Sequence, residues 1–148
     1  MWPFKKKFPD PASQPEDAWA VAQAESDGQP LIIRFNVWAK AMIGHPSYPH
    51  RLGVAIPFLA EDGAPEKPST DRLGEFEDEL HAVLPVPGSA VHVLVITSAR
   101  MRELVFYVAD PAQAQQKMEA LRARTTDLAV QFMLEHDPKW KVFASMVP

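Results

Sequence analysis

The side chains best suited to chemistry in this chain are four arginines, Arg34, Arg51, Arg100 and Arg102, and five histidines. The planar guanidinium fork matches carboxylate and phosphate oxygens, so the four arginines are the candidate contact for an anion or an acidic partner. That role requires Arg34 and the Arg100–Arg102 segment to converge; otherwise they are ordinary surface charge. Among the histidines, His45 and His50 flank Tyr48, whereas His81, His92 and His136 fall on separate elements. No two histidines have the i, i+4 spacing of a helical zinc pair, and no cysteine completes a Cys/His framework. The expectation is therefore hydrogen-bonded or exposed histidines, with no metal and no cofactor. Glu75, Glu77, Asp78 and Glu79 read as a solvated acidic helix face, with a partner-facing surface as the lesser reading. Neither Ser89 nor Ser98 sits in a nucleophile elbow, and the six glycines are too dispersed for a phosphate loop. No catalytic residue is assigned.

The element that would position these groups is the stretch from Val91 to Ala109. Two β-branched and aromatic runs, Val91–Ile96 and Leu104–Val108, flank a polar break and predict a hairpin with its tip near Ser98–Met101. Simple alternation puts Leu94 and Ile96 on one face and Val93 and Val95 on the other. Strands apolar on both faces belong mid-sheet with both sides covered. The candidate covers for the second face are the N-terminal segment, a terminal turn bearing Trp140, or a second subunit.

Composition narrows the class. The length, 148 residues, fits one domain, and 47% hydrophobic with 23% charged residues is ordinary for a water-soluble fold. A formal charge of −4 offers no basic footprint for nucleic acid. The absence of cysteine excludes disulfides and suits a reducing cytoplasm. No apolar run is long enough to span a bilayer, and Met1–Pro9 lacks the apolar core of a secretory signal. Residues 1–14 read as a flexible, proline-broken tail; Trp2, Phe4 and Phe8 among Lys5–Lys7 are too few for stable membrane association. Residues 15–148 are the single folded domain.

Along that domain, two readings compete for residues 18–24. Alanine content and a Ser13/Glu16 capping box favour helix, whereas the Ser26–Gln29 turn before strand Leu31–Val37 favours a hairpin, which is preferred. A strand follows through Val54, Ile56 and Phe58, with Pro57 expected at a bulge or strand end. Leu73, Phe76, Leu80, Val83 and Leu84 recur at helical spacing, capped by Ser69 or Thr70 and stopped by Pro85. A second helix starts at Asp110-Pro111, with Ala114, Met118 and Leu121 as its buried stripe. Leu128, Val130, Phe132 and Leu134 alternate as a half-buried strand, and Asp137-Pro138 opens the short turn with Trp140 and Phe143. From residue 52 the order strand, helix, strand, strand, helix, strand predicts an α+β, ferredoxin-like (split βαβ) antiparallel sheet with two helices on one face, plus an N-terminal strand or hairpin.

The chain also resembles the bacterial family called domain of unknown function 695. The likeness lies in Trp19 through Asp27-Gly28-Gln29-Pro30 into Leu31–Asn36, in Thr97 through Arg102-Glu103 into Phe106-Tyr107, and in Asp137-Pro138-Lys139-Trp140. It runs from about residue 17 to the end. Ala99-Arg100-Met101 at the tip, where a glycine is expected, and the alanine-rich Ala18–Ala24 depart from the pattern. That family is distantly similar to regulator of ribonuclease E activity B, a protein inhibitor of an RNA-processing nuclease. The resemblance implies a ferredoxin-like domain in a bacterial cytoplasm and carries over no catalytic residues.

The expected function is a non-catalytic protein-interaction or regulatory module, with an unknown protein partner or a homodimer, no nucleic acid and no stable membrane association. The alternative is a small-molecule binder or small enzyme with an open-face pocket lined by Trp38 and Tyr48 with Arg34 or His50. An RNA-binding reading is weakest, because Phe106 and Tyr107 are adjacent and point to opposite faces.

Overall fold

A computed structural model of the protein describes residues 8–10, 13, 18–58, 67–86 and 88–148. Most of the expected tail, including Trp2, Phe4 and Lys5–Lys7, lies outside the described residues, as does most of the Glu61–Pro68 connection.

Residues 18–24 enter a strand, not a helix. β1 (Trp19–Ser26) pairs antiparallel with β2 (Gln29–Asn36) over eight residue pairs, from Trp19 opposite Asn36 to Ser26 opposite Gln29. The hairpin closes on Asp27 and Gly28, both at positive φ (53° and 78°). Asp-Gly is among the dipeptides that reach this geometry most easily, and the turn twists the strands the right way. That local preference, added to pairing with β2, outweighs the helix propensity of four alanines.

A 3-10 turn (Trp38–Met42) leads to β3 (His50–Pro57), which ends on its proline. α1 (Thr70–Val83) starts where Ser69 accepts the Arg72 backbone N–H, and α2 (Pro111–Arg124) where Asp110 accepts that of Gln113. Between the helices lie β4 (Ala90–Thr97) and β5 (Met101–Val108), the predicted central hairpin. β6 (Gln131–His136) and α3 (Lys141–Met146) complete a mixed α+β fold. The six strands among the described residues form one sheet, ordered β1-β2-β4-β5-β3-β6, and every pair is antiparallel.

Two apolar layers sandwich this sheet. On one face Leu73, Phe76 and Leu80 of α1 and Ala114, Met118 and Leu121 of α2 cover Leu52, Val54, Ile56, Leu104 and Phe106. On the other, Ala39, Met42, Tyr48, Trp140 and Phe143 cover Ile33, Phe35, Val91, Val93, Val105 and Tyr107. The second face of the central hairpin is thus filled by the chain itself, partly by the Trp140 turn, and the hairpin offers no bare apolar surface to a partner. Phe8 packs at the margin of this layer, its ring 4.8 Å from that of His45.

The face assignment along β4 needs correction. A β-bulge between His92 and Leu94 shifts the register, so Val93, Leu94 and Ile96 share the second face and Val95 faces the helices. An extra residue in one strand reverses every alternation after it.

Candidate functional site

Of the four candidate arginines, the fold brings two together. Arg34 projects from β2 towards α1, where its guanidinium pairs with Glu77 and lies 4.9 Å above the Trp19 ring. Arg102 donates to Thr97 Oγ1 at 3.1 Å and lies close enough to Arg34 and Glu77 to feel both charges. Burial, with repulsion from Arg34, pulls its pKa below the usual arginine value, and Glu77 opposes this. Arg51 points to the opposite face of the sheet. It pairs with Glu135, and its Nε lies 4.0 Å from Asp137 Oδ2 with no hydrogen-bond partner among the described residues. Arg100 is exposed at the β4–β5 tip, beside a shallow cleft that Asp27, Gln29 and Ser98 also line. The predicted four-arginine constellation is therefore split across both faces and one tip.

Beneath Arg34 lies a cluster that residue spacing did not reveal. Glu77 and His81 stand one helical turn apart on α1, so they share a face. β4 carries His92 up against them. His92 is 1% exposed, stacked on Phe106 at 4.1 Å and flanked by the Trp19 ring at 4.9 Å. Its Nε2 lies 3.2 Å from the Leu94 carbonyl oxygen, which can only accept, so Nε2 carries the proton. Nδ1 therefore accepts, and its partner is His81 Nε2 at 2.8 Å. Asn36 Nδ2 donates to the His92 carbonyl at 3.0 Å and fixes that strand segment to β2.

Burial disfavours a charge on either ring. Burial holds the His92 pKa well below the ordinary histidine value, and the charges of His81 and Arg34 push it the same way. Burial also lowers that of His81, against opposing pulls from Glu77 and Asp78. Glu77 is not the solvated carboxylate its sequence context implies: its side chain is mostly buried under Arg34. Glu75 and Glu79 do face solvent and pair with Arg72.

The pocket expected from Trp38 and Tyr48 does not gain Arg34. Both pack into the layer over the second face, Tyr48 donating to the Gly88 carbonyl at 2.6 Å, whereas Arg34 lies under α1 on the first. Phe106 and Tyr107 do point oppositely, and both are fully buried, so neither is a platform for stacking bases.

A second region stands out at the sheet margin. Val21 is 67% and Ile32 51% exposed. Val21 faces Arg34 across the hairpin and Gln23 faces Ile32, so the two apolar side chains are diagonal neighbours on one face. β1 is the outermost strand on that side.

The pattern of a family of unknown function, DUF695, matches residues 17–147. The chain belongs to DUF695. No curated protein and no solved structure matches it. Among the described residues, no helix is long and apolar enough to cross a membrane.

Proposed function

We propose that this DUF695 chain is a non-catalytic protein-interaction or regulatory module that receives an extended segment of another chain along the outer edge of β1. The observation that carries this reading is the exposed Val21–Ile32 pair beside a strand edge that pairs with no other strand among the described residues. An edge strand presents a row of free backbone donors and acceptors, and soluble proteins usually guard it with lysine, proline or a bulge. The eight residues of β1 contain neither lysine nor proline, and its ladder with β2 runs without a register shift. Strand addition would supply backbone hydrogen bonds, with Val21 and Ile32 reading the side chains of the added strand.

In this reading β3, α1, β4, β5, α2 and β6 are a ferredoxin-like, split βαβ unit. The strand order β4-β5-β3-β6 supports it, and the β1–β2 hairpin is an addition beside β4. The resemblance to regulator of ribonuclease E activity B favours regulation by analogy. A bacterial cytoplasm suits a chain without cysteine.

The test compares the wild type with the double variant Val21→Lys/Ile32→Lys, which alters only exposed positions. Light scattering over a concentration series reports self-association, and affinity capture from the native host reports a foreign partner. The reading expects one of these to appear in the wild type and vanish in the double variant at unchanged melting temperature. A monomeric wild type that captures nothing the variant loses would end it.

A further inference from the structure

We propose that Glu77, His81 and His92 form a binding site for a divalent ion of the zinc class, held between α1 and β4. One ligand atom from each residue lies within 4.8 Å of the other two. Two neutral imidazoles and a carboxylate are ligands that zinc takes together, leaving a fourth position open.

The surroundings present these groups as ligands. A metal-bound histidine almost always donates its other ring N–H to a carbonyl or carboxylate, which fixes tautomer and orientation. His92 does this already, its Nε2 on the Leu94 carbonyl, so the Nδ1 lone pair is aimed at His81. Ligating carboxylates are likewise held by an outer hydrogen bond. Arg34 holds Glu77 through Oε1, and the lone pairs of Oε2 remain to be offered.

Without metal, the proton on His81 Nε2 occupies the place of the ion, and the two nitrogens stand 2.8 Å apart. On a tetrahedral zinc, with bonds of about 2.05 Å, they would stand about 3.3 Å apart. The rings must separate by about half an ångström, and His81 must carry its proton on Nδ1 instead. The half-buried His81 has this latitude; His92, stacked on Phe106, does not. Two guanidiniums, Arg34 and Arg102, and two carboxylates, Glu77 and Asp78, act on the cluster, so a doubly charged ion brings an uncompensated positive charge. The fourth position therefore favours an anionic ligand, such as hydroxide, over a neutral one.

The experiment uses the full chain, stripped by chelator and dialysed against zinc or cobalt(II) alone. One ion bound per chain is expected, with a raised melting temperature and the visible absorption of tetrahedral cobalt. His81→Ala and Glu77→Gln should each weaken binding by about 100-fold or more, since even outer-shell losses cost about 10–100-fold. His50→Ala and His136→Ala should leave binding intact. Circular dichroism of each metal-free variant establishes that it is folded. No stoichiometric binding, or binding that survives in folded His81→Ala and is lost in His136→Ala, would overturn the proposal.

Discussion

Trp140 lies flat on Tyr107, ring centroids 4.1 Å apart and planes within 4° of parallel. Both are fully buried, and the stack joins the C-terminal turn to the centre of the sheet. Trp140 reaches it from a left-handed backbone conformation, φ 54°, that a bulky residue rarely adopts. Its Nε1–H donates to the Tyr48 carbonyl at 2.9 Å, so ring and backbone are fixed from two directions.

Trp140→Ala should therefore destabilise the protein by about 3–5 kcal/mol, the usual loss for emptying a large aromatic site. Urea unfolding monitored by circular dichroism measures it. A loss under about 1 kcal/mol would show that α3 is not part of the cooperative core.

Much of this architecture is legible in the residues, and the illegible parts have physical causes. Asp110-Pro111 and the Ala114–Met118–Leu121 stripe mark α2 because capping and helical period are local properties. Asp27-Gly28 marks its hairpin for the same reason. The bulge at Val93 leaves no trace, since a run of β-branched residues looks alike in either phase. Arg34 meets Glu77, and His81 meets His92, only because α1 crosses over β4. The available signal was a glutamate and a histidine at i, i+4 on the border of an apolar stripe, with another histidine inside an otherwise apolar strand. Pair-spacing rules for histidines alone pass over it.

Asp137 gives the fold an acid limit. Burial alone would raise its pKa, but hydrogen bonds from the Lys141 N–H, Tyr107 O–H and Val142 N–H outweigh this and lower it below 3.8. A carboxyl with a depressed folded-state pKa stabilises fully above its unfolded value and less as pH falls through the folded one. Urea midpoints should therefore hold down to about pH 4 and then fall. Asp137→Asn should start lower at neutral pH and decline less below pH 4. An equal decline in both proteins would move the acid sensitivity elsewhere.

Gly28→Val should cost about 1–2 kcal/mol, because φ of 78° is strained for a β-branched residue. Among the described residues a Cβ there meets nothing within 4 Å beyond its chain neighbours, so the loss is conformational and not a clash. An unchanged melting temperature would mean the turn re-forms with another geometry.

Phe106→Asp should leave no cooperatively folded protein. The ring is completely buried against His92 and both helices' layer, and an unpaired buried charge costs several kcal/mol against a stability of about 5–15. Sharp melting of a soluble variant would show the site is wetter than its burial indicates.

The cover of the second face comes from two distant stretches, residues 38–48 and 140–146. This orders events while the chain is being synthesised. When β4 and β5 emerge, α1 is already available to dry one side of the hairpin. Tyr107, Val91 and Val105 must wait for Trp140 and Phe143. A nascent chain paused after α2 carries a sheet with α1 and α2 over one side and only residues 38–48 over the other, and it still lacks β6, the interval in which it most needs a chaperone.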